Sequence, residues 1–140
     1  MPYALISFLM FALWSFVVFF FFRPFSYFSI FLFVSLGTVL AELIAASSKS
    51  LKPRVKIKSV VLLAAANAMV AATFLVTFFH LVLAAIQISG PGLPYTPPPL
   101  GVLFGRYSIC VFISSFLALL LVRWLWSPPR AQGELPQAER

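Results

Sequence analysis

The chain has no aspartate, one cysteine, one histidine, one asparagine and three glutamates among its 140 residues. Those absences remove most catalytic constellations. With no second histidine and no glycine-rich phosphate loop, no Ser–His–acid set can be assembled, because Glu134 and Glu139 lie in the C-terminal tail, away from His80. Cys110 lacks a partner for an internal disulfide or a CxxC metal site, and without a base beside it reads as buried packing. Asn67 is not followed by a glycosylation pattern.

Charge is equally scarce. Charged residues make up 9% of the chain and hydrophobic residues 62%, against roughly a quarter charged in an ordinary soluble domain. Such a composition cannot cover a water-facing surface, so the expected fold is an all-α integral membrane protein, a four-span helical bundle with short loops. At about 20 residues per span, three or four spans with their loops are expected to leave no room for a separate soluble domain. The spans are expected over about 3–22, 24–46, 59–88 and 100–126, forming one bundle (1–126) followed by a short tail (127–140). The first apolar run has no charged region before it and no small-residue cleavage signature, and reads as a retained span. Arg23-Pro24 breaks that run, with Pro24 suited to the first turn of the next helix. "SGPGLPYTPPP" reads as a semi-rigid extended link.

The net charge of +7 would suggest nucleic acid in a soluble protein. Here five of the ten cations, Lys49, Lys52, Arg54, Lys56 and Lys58, sit in one loop, which instead reads as a topology signal toward anionic headgroups and excludes a nucleic-acid role. With four spans, those five share a side with Arg123, Arg130 and Arg140, leaving Arg23 and Arg106 opposite, so both termini and loop 47–58 are expected in the cytoplasm. Trp124 and Trp126 suit an interfacial anchor on the cytoplasmic side, with Tyr95 and Tyr107 opposite. Arg106 could meet a lipid headgroup or a partner.

Within the spans, polar residues are few enough to take singly. Ser35, Thr38, Glu42 and Lys49 fall within about 60° of one another on the second helix, beside a small-residue ridge of Gly37, Ala41 and Ala45. On the third, Ala66, Thr73, His80 and Gln87 repeat every seven residues with Thr77 and Ala84 close by, an expected internal stripe, while Ala64, Ala68 and Ala72 form a second ridge. On the fourth, Gly101 and Gly105 match GxxxG and share a face with Ser108 and Ser115. The first span, almost wholly Phe, Leu, Val and Ala, is expected to face lipid or a large apolar partner.

Glu42 lies roughly 7 Å inside its span and Asn67 roughly 12 Å, so a bond between them is feasible at 1.5 Å per residue. Pairing with Asn67 or with a loop cation (Lys49, Lys52 or Lys56) is the leading reading of Glu42, and a proton- or ion-exchange role is the alternative. His80 falls some 10 Å axially from Glu42, too far for a direct couple. It reads as a neutral interhelical hydrogen bonder, with ligation of a haem or chlorophyll-type pigment as an alternative and no other cofactor or metal expected.

Three functional readings follow. One is a small structural or accessory subunit held among other membrane protein subunits and lipids. Another is a homo-oligomeric proton- or ion-coupled transporter or channel using Glu42, Thr38, Ser35 and Asn67. The last is an enzyme or redox subunit using His80, Arg106 or a bound cofactor, although the shortage of chemical groups argues against an enzyme. In size and four-span layout the chain is similar to the small multidrug resistance transporters. That family carries its membrane carboxylate in the first span, where this chain has no charged residue, so no site transfers.

Overall fold

The computed structural model describes residues 2–22, 26–49, 56–89 and 99–126. They form four α-helices and no other regular element: α1 (Tyr3–Phe21), α2 (Tyr27–Lys49), α3 (Ile57–Ser89) and α4 (Leu100–Trp126). Each is long and apolar enough to cross a membrane, the arrangement of a multi-pass membrane protein. Residues 23–25, most of the basic loop, the proline-rich link and the tail lie outside the described residues, and with them Arg23, Lys52, Arg54 and Tyr95. So do the side chains of Lys49 and Gln87.

The helix boundaries follow local chemistry. Helix α2 begins three residues beyond Pro24, because Ser26 caps it: its Oγ accepts the Ser29 N–H at 3.1 Å. Helices α1 and α4 start directly after Pro2 and Pro99, whose carbonyls accept the first helical bonds. At the polar end, α2 runs on to Lys49 and α3 starts at Ile57, so together they take up more of the loop than hydropathy alone suggests.

Helix α1 packs on α2 and α3, and α4 packs on the same two. Among the described residues α1 and α4 share no backbone packing, nor do α2 and α3, so the cyclic order is α1–α2–α4–α3. Consecutive α2 and α3 therefore stand diagonally across the bundle. The core is apolar over most of its length, with Phe11, Val18, Ile30, Val34, Ala71, Leu75 and Val111 buried together. A second cluster, Val60, Leu63, Ala64 and Leu119, lies between α3 and α4.

Small residues work unequally in this packing. Ala41, Ala45, Ala64, Ala68 and Ala72 are all buried. Gly37 is different in kind: the indole of Trp14 lies against it, where a Cβ would stand, and donates to the Phe33 carbonyl at 3.0 Å. The glycine makes a notch for an aromatic ring rather than a close backbone approach. Gly101 and Gly105 depart from expectation, since nothing lies within 4 Å of where their Cβ atoms would be. Among the described residues the α4 face is packed at Ser115 but not at these two glycines.

The expected internal stripe of α3 also turns outward. Thr73 and Thr77 are exposed, as is Ala84, while Ala66 and His80 are half-buried. Thr73 lies about 240° around the helix from Asn67, so one face must yield, and the Thr73 hydroxyl is already satisfied by the Met69 carbonyl at 2.7 Å. An amide has no such local remedy. Helix α1 is likewise two-sided, exposing Leu5, Leu9, Leu13 and Phe20 but burying Ser7, Phe11 and Ser15. Tyr107 is buried against the Tyr27 ring, 6.1 Å between centroids, and so is no part of an exposed belt.

Candidate functional site

The antiparallel course of the helices brings the start of α1 and α3 and the end of α2 and α4 to one end of the bundle. Every helix contributes a polar side chain there. Glu42 of α2 is completely buried, and its Oε1 accepts from Ser7 Oγ at 2.7 Å and from Arg123 Nη2 at 3.5 Å. Its Oε2 accepts from Tyr3 Oη at 2.9 Å and from Arg123 Nε at 3.3 Å. The Tyr3 hydroxyl also lies 3.1 Å from the Glu42 backbone carbonyl. Arg123, only 2% exposed, reaches Ser59 of α3 through Nη1 at 3.4 Å, and its guanidinium carbon stands 6.0 Å from the centre of the Tyr3 ring.

This arrangement differs from the sequence expectation in one respect that matters. Glu42 pairs with neither Asn67 nor a loop cation but with Arg123, a residue read from sequence only as a topology charge. Helix α3 stands diagonal to α2 and so cannot offer Asn67 to Glu42, whereas α4 is adjacent. The depth argument could have found the partner. Glu42 lies four residues before the expected end of the second span and Arg123 three before the end of the fourth, on the same side.

A second polar layer lies deeper, one turn from Glu42 along α2 and about two turns from Ser59 and Arg123 along α3 and α4. Asn67 Nδ2 donates to Ser115 Oγ at 2.9 Å, and Ser115 Oγ stands 3.3 Å from Thr38 Oγ1. Thr38 Oγ1 is also 2.8 Å from the Val34 carbonyl. One threonine proton serves the shorter contact, so the hydroxyls order as a chain from Asn67 through Ser115 and Thr38 to the backbone. This layer links α2, α3 and α4. Ser35, on the same expected stripe as Thr38, is only half-buried.

Because Ser115 is the shared member of that layer, Ser115→Ala is expected to lower stability by about 1 kcal/mol, within the range of interhelical hydrogen bonds in membranes. Ser114→Ala is the matched comparison. Its hydroxyl bonds its own helix at the Cys110 carbonyl, 2.7 Å away, so its loss should shift the thermal midpoint in detergent much less. Equal shifts would mean that the Asn67–Ser115–Thr38 chain carries no weight.

The remaining candidates stand apart from both layers. His80 lies 13 residues beyond Asn67 along α3, with its Nε2 buried and without a hydrogen-bond partner among the described residues. Between it and the Asn67 layer the interior is filled by Leu75, Val76 and Val111. Arg106, Lys56 and Lys58 are exposed. No group of three or more His, Cys, Asp or Glu side chains lies together among the described residues. Comparison of the chain with protein-family models, curated proteins and solved structures returns no match.

Proposed function

We propose that this protein is a small structural or accessory subunit of a larger multi-subunit membrane complex, supplying helix–helix and lipid contacts rather than a reaction. The observation that carries this reading is the saturation of Glu42. Each of its oxygens already accepts two hydrogen bonds, and the group has no exposed surface. An exchange site must release a proton or cation to water, whereas this carboxylate is enclosed by a guanidinium and two hydroxyls. Beyond Thr38, Asn67 and Ser115 the core toward His80 is mainly apolar, and the Ser15 and Ser108 hydroxyls buried there have no hydrogen-bond partner among the described residues, so no connected polar path runs through them. What remains for other molecules is the outer surface, including the unpacked Gly101/Gly105 face.

In this reading the end of the bundle carrying Glu42 and Arg123 faces the cytoplasm. The cation bias supports that orientation, and it survives leaving out Arg123, which is consumed inside the bundle.

Gentle extraction followed by native mass analysis and a visible spectrum of the same sample tests the assignment. The expected result is a heteromeric particle containing this chain. A homo-oligomer whose proton-coupled flux disappears in Glu42→Gln would replace the accessory role by transport. A visible absorption band lost in His80→Leu would replace it by pigment or haem binding.

A further inference from the structure

Two interhelical bonds fix the register between α3 and α4. Asn67 meets Ser115 and Ser59 meets Arg123, and these pairs define a single antiparallel alignment of the two helices. Extended by one residue, that alignment sets Lys58 at the height of Trp124. Extended by three, it sets Lys56 at the height of Trp126. Lys56, Lys58 and Trp124 are exposed, Trp124 to 71%, while the intervening Arg123 turns inward and is committed to Glu42.

Below these two rungs, toward the middle of the bundle, the outward residues of both helices are aliphatic: Val61 and Leu62 on α3, Leu117 and Leu121 on α4. The α3–α4 pair thus presents the Lys56 and Lys58 ammonium groups and the Trp124 indole at its polar end, with exposed aliphatic side chains within the next turn or two on both helices. The sequence adds three further cations within the preceding ten residues, Lys49, Lys52 and Arg54, and no acidic residue between Lys49 and Lys58.

We propose that the α3–α4 end marked by Lys56, Lys58 and Trp124 is a binding surface for an anionic phospholipid, with the phosphate and acidic headgroup on the lysines and an acyl chain along Val61, Leu62, Leu117 and Leu121. The charge sign selects an anion. The change from cationic to aliphatic within about one helical turn, 5.4 Å, matches the change from headgroup to acyl chain in a single lipid, and an indole is suited to that boundary. An acidic protein segment would satisfy the lysines but leave the aliphatic surface beneath them uncovered.

The full chain, extracted and stripped of lipid, is titrated with phosphatidylglycerol and in parallel with phosphatidylcholine, and retained lipid is read by native mass spectrometry. The expected result is preferential retention of phosphatidylglycerol, reduced about fivefold for each lysine removed in Lys56→Gln and Lys58→Gln. Both side chains project into solvent, so unchanged melting of the variants should accompany the loss. Trp124→Leu should weaken retention of both lipids, since the indole serves the boundary rather than the charge. Equal retention of the two lipids by the unmodified chain would overturn the proposal. So would unchanged phosphatidylglycerol retention in the Lys56→Gln/Lys58→Gln double variant, or its loss of a protein partner while lipid retention stays intact.

Discussion

Replacing Arg123 by methionine is expected to cost about 3–5 kcal/mol of stability. The loss comes less from the missing attraction than from what remains. Glu42 would keep a buried carboxylate held only by the Ser7 and Tyr3 hydroxyls, with no counter-charge at a depth where an isolated charge is penalised by a few kcal/mol. Removing both charges together, as Glu42→Leu with Arg123→Met, should therefore recover most of the stability. A double-mutant cycle read by unfolding in detergent checks this. Additive losses would show that the pair is not a unit, and a harmless Arg123→Met would show that Glu42 is balanced by something else. Arg123→Lys should fall between, because a single ammonium cannot fork to both carboxylate oxygens and also reach Ser59.

Gly37→Leu is the second large effect, expected to cost about 1–3 kcal/mol through overpacking and to separate α1 from α2 locally. The leucine side chain would occupy the space held by the Trp14 indole, and displacing that ring also removes its bond to the Phe33 carbonyl. A smaller indole substitute should give partial rescue: Gly37→Leu combined with Trp14→Ala is expected to be less damaged than the sum of the two changes. Gly101→Leu is the contrasting case. Among the described residues nothing lies within 4 Å of its Cβ position, so isolated stability should be unchanged, and loss of association with other subunits would place a partner on that face.

The number of helices, their approximate ends and the mostly apolar outer surface follow from runs of hydropathy and from proline positions, because helix formation in a membrane is decided locally by satisfying backbone groups within one segment. The sequence marks Glu42 as a group that calls for a partner, and Gly37 and the alanines as small-residue positions, but the same small-residue signal at Gly101 and Gly105 meets no neighbour among the described residues. Tyr3 and Ser7 were not recognisable as ligands of that carboxylate. A tyrosine at a helix end and a serine in an apolar span have unremarkable local readings, and only their distance to Glu42 gives them a role.

The sequence by itself determined four apolar helices, a cationic loop grouped with three C-terminal arginines, and an inventory too poor in reactive groups for common catalytic sets. Only the tertiary structure decided the cyclic order α1–α2–α4–α3, and with it the partner of Glu42. Depth along a helix is readable from 1.5 Å per residue, but which helices are adjacent depends on how all the faces fit at once. The same holds for rotation about the α3 axis. Both its threonine stripe and its Asn67–alanine face were plausible interiors by spacing, and the choice fell to the face whose amide needs Ser115 across the interface, while Thr73 could turn out and bond its own helix.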